Sequence, residues 1–245
     1  MKFIDQLKEK AKQNKKTIVL PETSDMRTIE AAGKVLAEGI ANIILVGDKE
    51  DIMSRAGDID LSGASFVDPK NYEKFDEYVD AFVEMRRKKG MTEARAKELL
   101  LTNPLYFGCM MVKQDDADGM VAGAINASAD VLRAALQTLK TAPGTRIVSA
   151  FFLVVVPDCQ YGANGTFVFA DAGLNQSPSA SELADIAEQS AKSFELLVDE
   201  TPVVAMLSHS TKGSAKHPDV DKVIEATEIV NAEFPDLLCD GELQS

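Results

Sequence analysis

The 245 residues are 45% hydrophobic and 27% charged, a balance that supports a packed core and argues against disorder. Asp and Glu number 39 against 26 Lys and Arg, giving a net charge of −13. A surface of that sign repels phosphate backbones, so nucleic acid is not an expected partner. Cys109, Cys159 and Cys239 are odd in number and none sits at Cys-x-x-Cys spacing, which argues against a disulfide framework or a zinc ribbon. The run 147–156 is too short to span a bilayer, and the charged, amphipathic start (residues 1–8) lacks the pattern of a signal peptide. A cytoplasmic location and no membrane contact are expected by elimination.

Helix and strand patterns alternate from the N-terminus onward. Phe3, Leu7 and Ala11 share a helical face, and Thr17–Leu20 is a short buried strand ended by Pro21. Met26, Ile29, Gly33 and Leu36 predict a helix closed by Gly39. Strands are expected at 43–47 and 64–67, with a helix at 49–56 between them. One long helix is expected over 72–89, closed by Arg86-Arg87-Lys88-Lys89 before Gly90. Thr92 caps the next helix, Asn103-Pro104 stops it, and another helix follows. Residues 119–123 read as a strand entering the polar loop 126–130, and Val131, Ala135 and Leu139 mark the helix after it.

Thr141-Ala142-Pro143-Gly144 is the expected boundary, dividing the chain into 1–144 and 145–245. Beyond it, one long strand over 147–156 and a second over 167–170 predict an antiparallel hairpin. Ser179-Ala180-Ser181-Glu182 is a capping box opening a helix. A strand at 203–207, a polar loop at 208–216, a helix at 220–230 and a last strand from Leu237 complete the pattern. The expected class is α/β: a mostly parallel sheet, then a second unit with some antiparallel pairing.

Common catalytic signatures are absent: no P-loop, no dinucleotide fingerprint, no H-E-x-x-H, no G-x-S-x-G or S-x-x-K. With only His209 and His217, a histidine-rich metal site cannot be assembled, and none is expected. Three segments offer chemistry. The loop 208–216, with Ser210, Thr211, Lys212, Gly213 and Ser214, follows a buried strand and combines hydroxyls, ammonium groups and a glycine, a set suited to an oxyanion. A solvated, helix-capping loop is the competing reading. Ser128 and Arg133 lie at the start of a helix after a strand and could take an anion; Asp130 as an N-cap with Arg133 in solvent is the plainer alternative. Arg86 is either an anion-binding arginine or one of the cations that complement a helix C-terminus, and on the residues alone the second explanation is preferred. Cys159 lies in a loop with no evident cation to activate it, so a nucleophilic role is disfavoured.

Together these stretches resemble the phosphate acetyltransferase family, which interconverts acetyl-CoA plus phosphate with acetyl phosphate plus CoA. The likeness rests on Thr17–Thr23, Arg27-Thr28, Arg86 with Lys89–Thr92, Ser128–Arg133, Val156–Cys159, Thr166–Gly173, Met206–Ala215 and Asp240–Gln244. It implies a two-domain αβα sandwich of the isocitrate-dehydrogenase-like type, with an active-site cleft between the domains. It implies no metal, no cofactor beyond coenzyme A as substrate, and no acetyl-enzyme. It further implies direct attack of the CoA thiolate on acetyl phosphate in a ternary complex.

By the same likeness Arg86, Arg133 and Ser128 hold CoA or phosphate, Ser210, Thr211, Lys212, Gly213 and Ser214 line the acyl phosphate pocket, and Cys159 is near the site without being a nucleophile. Ala134 and Asn126 stand where relatives often carry Pro and His, departures that bear on acyl preference. The family's Asn-Asp-Leu-Ser-Arg-Gly stretch and the Asp after it, taken as the base, are absent from these residues. The chain is therefore expected to be incomplete at its C-terminus and poorly active alone, with a homodimer as the full-length form. The alternatives are a phosphate butyryltransferase and a non-catalytic CoA- or partner-binding module. A dehydrogenase on a similar fold is disfavoured.

Overall fold

A computed structural model describes residues 3–244. The chain divides into two compact units, Met1–Lys140 and Thr141–Ser245, described separately below.

In the first unit α1 (Phe3–Gln13) precedes β1 (Thr17–Leu20), α2 (Met26–Glu38), β2 (Asn42–Val46), α3 (Lys49–Ala56) and β3 (Ser65–Val67). Then come α4 (Phe75–Arg86), α5 (Glu93–Thr102), α6 (Pro104–Lys113), β4 (Gly119–Met120) and α7 (Ser128–Thr138). The four strands form one parallel sheet in the order β3-β2-β1-β4. Strand side chains alternate between faces, and both faces are covered. Val19, Ile44 and Val46 pack with Tyr78, Phe82, Leu100, Phe107 and Met110 from α4, α5 and α6. Leu20, Ile43 and Leu45 pack with Ile29, Ala32 and Ile52 from α2 and α3. Continuous apolar strands are thus required, because each alternate residue meets a different helical layer. Gly108 lets α6 lie close on the sheet, where an added Cβ would meet the Met120 sulfur at 2.7 Å.

Three expectations in this unit are corrected. The helix expected over 72–89 begins only at Phe75, after a 3-10 turn at Pro69–Asn71, and ends at Arg86, where Arg87–Lys89 form another 3-10 turn closed by Gly90 at φ 74°. Tyr72 is held outside it, where its hydroxyl donates to Asp116. The strand expected over 119–123 is two residues long, because the amide groups from Gly123 onward turn away from the ladder to a carboxylate described below. The polar segment 126–130 is not all loop: Ser128, Ala129 and Asp130 form the first turn of α7.

In the second unit β5 (Phe151–Val155) and β6 (Thr166–Ala170) form an antiparallel hairpin. Then α8 (Ala180–Val198), β7 (Val203–Ser208), α9 (Pro218–Glu233) and β8 (Leu238–Gln244) follow, with β7 and β8 parallel. The capping box forms as expected: Glu182 N–H donates to the Ser179 hydroxyl, and the Glu182 carboxylate accepts from Ser179 N–H. The strand expected over 147–156 is shorter. Residues 146–150 are held by side chains instead, as Arg146 donates twice to Asp185 at 2.7 and 2.6 Å and the Asn175 amide donates to the Val148 carbonyl. The core is small and alanine-rich, with Ala184, Ala187, Met206, Val223, Ala226 and Val230. Gly241 permits α9 to close on β8, since a Cβ there would meet Thr227 and Met206 at 2.6 Å. Phe152, Phe169, Val203 and Leu238 remain more than half exposed.

Phe107 is fully buried, with ring centroids 5.7 and 5.6 Å from Tyr72 and Tyr78. Phe107→Ala is expected to destabilise the first unit by ~3–5 kcal/mol, read from urea unfolding followed by circular dichroism.

Candidate functional site

From β1 the chain passes to β2 and then β3 on one side, while β4 returns to the other side of β1. The loops leaving β1 and β4 therefore diverge at a topological switch point, where open α/β sheets leave a crevice for ligands. Glu22, two residues beyond β1, lies at this switch point and is 2% exposed. Its carboxylate accepts from the backbone N–H groups of Gly123 (2.6 Å), Ala124 (2.7 Å), Ile125 (3.1 Å) and Asn126 (2.8 Å), and from the Asn126 side-chain amide (2.7 Å). Burial by itself would raise the Glu22 pKa, but these bonds favour the charged form more strongly and bring it to about 2. From the other side Arg27 donates to the Ala124 carbonyl at 2.6 Å while paired with Asp25. Nothing in the spacing of Glu22 and Gly123 announced this clamp; the signal was only that both follow strands.

The clamped loop leads directly into α7. Its N-cap is Ala127, which offers no side-chain acceptor, so Asp130 is not the cap that the plainer sequence reading supposed. Asp130 instead accepts from Arg133 at 2.5 Å, within the same helix. Arg133 is exposed, its side chain 57% accessible, and its one-turn partner is on the surface. Arg86 ends α4 half-buried, and its Nε is shielded from solvent without a hydrogen-bond partner among the described residues. Both arginines act electrostatically on one residue of α6 that sequence reading missed. Burial pushes the Tyr106 phenol up, while the charges of Arg133 and Arg86 oppose it. Tyr106 also donates to Gln137 of α7 at 3.2 Å and stacks edge-on against Phe82 of α4. Arg86, Arg133 and Ser128 thus belong to one region of the first unit, set by α4, α6 and α7.

In the second unit the loop after β7 is folded around another carboxylate. Lys212 and Gly213 adopt left-handed φ values of 47° and 84°, which aims the Gly213 N–H inward. Glu242, on β8 and 3% exposed, accepts from that N–H at 2.6 Å and from the Ser210 hydroxyl at 3.0 Å. The Gly213 bond, acting against burial, holds its carboxyl below the ordinary range. Ser214 Oγ accepts from Thr211 N–H, Thr211 Oγ1 accepts from Gln244 N–H, and Lys212 pairs with Asp240. The five expected pocket residues are therefore together, but the Ser210 hydroxyl and the Gly213 N–H are spent on Glu242. Ser210 is buried, and Thr211, Lys212, Gly213 and Ser214 are exposed. The Cys159 thiol is half-buried, with the Tyr161 carbonyl at 4.0 Å as its partner. Among the described residues there is no group of three His, Cys, Asp or Glu placed to hold a metal, and no helix long and apolar enough to cross a membrane.

A parallel sheet covered by helices on both faces, with polar loops at its strand ends, defines the class: an α/β protein. A family model described as phosphate acetyl/butaryl transferase matches residues 2–245. The chain is 52% identical over 244 residues to the phosphate acetyltransferase of Acetivibrio thermocellus, covering 100% of this chain and 73% of that protein. It is 54% identical to the phosphate acetyltransferase of Thermoanaerobacterium thermosaccharolyticum, covering 100% of this chain and 74% of that one. A phosphotransacetylase crystal structure from Streptococcus pyogenes superposes with a TM-score of 0.89 at 41% identity, over 99% of this chain and 72% of that one. The chain belongs to the phosphate acetyl/butaryl transferase family, a family of acyltransferases.

Glu22 also links the site to stability. Its pKa falls on folding from an ordinary 4.5 to about 2, so its contribution is complete above about pH 5 and is lost as the pH drops toward 2. The thermal midpoint is expected to fall over that window, and Glu22→Gln to lower the midpoint at neutral pH and flatten the acid dependence. Calorimetric melting at stepped pH checks both.

Proposed function

We propose that this chain is a phosphate acetyltransferase chain acting on acetyl-CoA and phosphate, or in reverse on acetyl phosphate and CoA. The observation that carries the reading is the match over residues 2–245 to a family whose close relatives bear that name. The chemistry is an acyl exchange without a covalent enzyme intermediate. The CoA sulfur, as thiolate, attacks the acetyl phosphate carbonyl; the new C–S bond replaces the C–O bond, and phosphate leaves with the electron pair. An ordinary thiol has a pKa near ~8.5, so a base must first take its proton. No residue of this chain is assigned that role, Cys159 included.

Binding is where these residues contribute. Arg86 and Arg133 take the anionic groups of CoA, with Ser128 at the uncapped start of α7 adding a hydroxyl and helix N–H groups. For this Arg133 exchanges its surface partner Asp130 for the ligand, a low-cost exchange because exposed ion pairs contribute little. Lys212 and Thr211 meet the acyl phosphate, while Ser210, Gly213 and Ser214 shape the loop that presents them. The finer architecture in this reading is two α/β domains of the isocitrate-dehydrogenase-like type, assembled as a cytoplasmic homodimer, with no cofactor beyond CoA as substrate.

Arg133→Ala and Arg86→Ala are each expected to weaken CoA binding roughly tenfold or more, the scale of a lost charge-assisted contact. Isothermal calorimetry on the purified chain reads this, and unchanged affinity would remove that arginine from the site. Turnover of residues 1–245 alone is expected to be far below that of the relatives, since the Arg and Asp stretch that the likeness names is absent from them. A phosphotransacetylase assay at rates matching the Thermoanaerobacterium protein would overturn that expectation. The family description also covers butyryl transfer. Comparing acetyl-CoA with butyryl-CoA separates the two substrates.

A further inference from the structure

We infer that Glu22 is a positioning residue: a built-in anion that presets the Gly123–Asn126 loop and, through it, the ligand-binding start of α7. The inference rests on the reading of Arg133 as a CoA ligand. Four consecutive backbone N–H groups converging on one carboxylate form a nest, the arrangement by which loops usually hold a free phosphate or carboxylate. Here the anion is supplied by the chain, from the loop after β1, 101 to 104 positions away in sequence. A buried carboxylate is costly unless its lone pairs are filled, and Glu22 fills them with five donors, so the pairing specifies one loop geometry. Arg27 closes the remaining freedom by holding the Ala124 carbonyl.

Asn126, the last residue of the nest, stands two residues before Ser128, which opens α7. The N-terminus of α7 lacks a side-chain cap, so its direction is set by the loop that enters it. A loop already ordered costs nothing to order when the anion binds Arg133, and losing the clamp should appear as weaker binding. Asn126 has a defined part in this, its side-chain amide being the fifth donor.

The test is CoA calorimetry on the whole chain with Glu22→Gln, Glu22→Ala and Arg133→Ala, alongside melting curves. Glu22→Gln puts an NH2 in place of one carboxylate oxygen, where it opposes the two donors on Oε2 or the three on Oε1, and Glu22→Ala leaves the nest empty. Both are expected to weaken CoA binding roughly tenfold while melting stays cooperative. Added sodium formate, a carboxylate small enough for the vacated nest, should restore affinity to Glu22→Ala and not to Glu22→Gln. CoA affinity within twofold of wild type in both variants would overturn the inference and leave Glu22 a purely structural group. So would weakened binding in Glu22→Ala that formate does not restore. Should the Glu22 variants fail to fold, Asn126→Ala decides: a several-fold weaker affinity in a folded protein supports the inference, and unchanged affinity overturns it. Arg133→Ala separates the two levels. Unchanged binding there removes the CoA reading itself, and the inference with it; loss there with intact Glu22 variants removes the inference alone.

Discussion

Much of the first unit depends on where a single buried carboxylate finds its donors. Glu22 follows β1 at the point where the strand order reverses and takes four backbone N–H groups from the segment after β4. That choice ends β4 after two residues, because amides committed to Glu22 are unavailable to a sheet ladder. It also sets the entry to α7, on which Ser128 and Arg133 ride. The cost of burying the charge is met locally, and the low pKa of about 2 records how fully.

The second unit repeats the device on a smaller scale. Glu242, from a parallel neighbour strand, gathers the Ser210 hydroxyl and the Gly213 amide. In both units a loop at a strand's carboxyl end is tied to a carboxylate from another segment of the chain. The consequence for chemistry differs. In the first unit the clamp holds the loop that enters α7, the helix of Arg133, whereas in the second it consumes two donors that the loop's composition seemed to offer a ligand. A hydroxyl-rich loop is therefore not automatically a donor-rich surface.

Tyr106 joins the two arginines of the first unit through packing rather than through sequence proximity. It stacks on Phe82 of the helix that ends in Arg86 and bonds to Gln137 of the helix that carries Arg133. Arg86 and Arg133 are 47 positions apart by number, and only the layering of α4, α6 and α7 over one sheet face puts both within electrostatic reach of the same phenol.

The sequence by itself determined the elements wherever local physics decides. Continuous apolar runs marked the buried strands β1 and β2; Gly39 closed α2; and Ser179 with Glu182 opened α8. The alternation of these elements established the α/β class, and motif order established the family resemblance that the comparisons bear out. What only the tertiary structure decided were pairings between residues about a hundred positions apart or less regularly spaced. The Glu22 nest, the Glu242 clamp, the side-chain tethering of 146–150 and the shortened β4 all follow from a polar group choosing a distant partner over its neighbour. Periodicity reports which face a residue shows to the core, but it carries no information about which distant donor a buried carboxylate will meet.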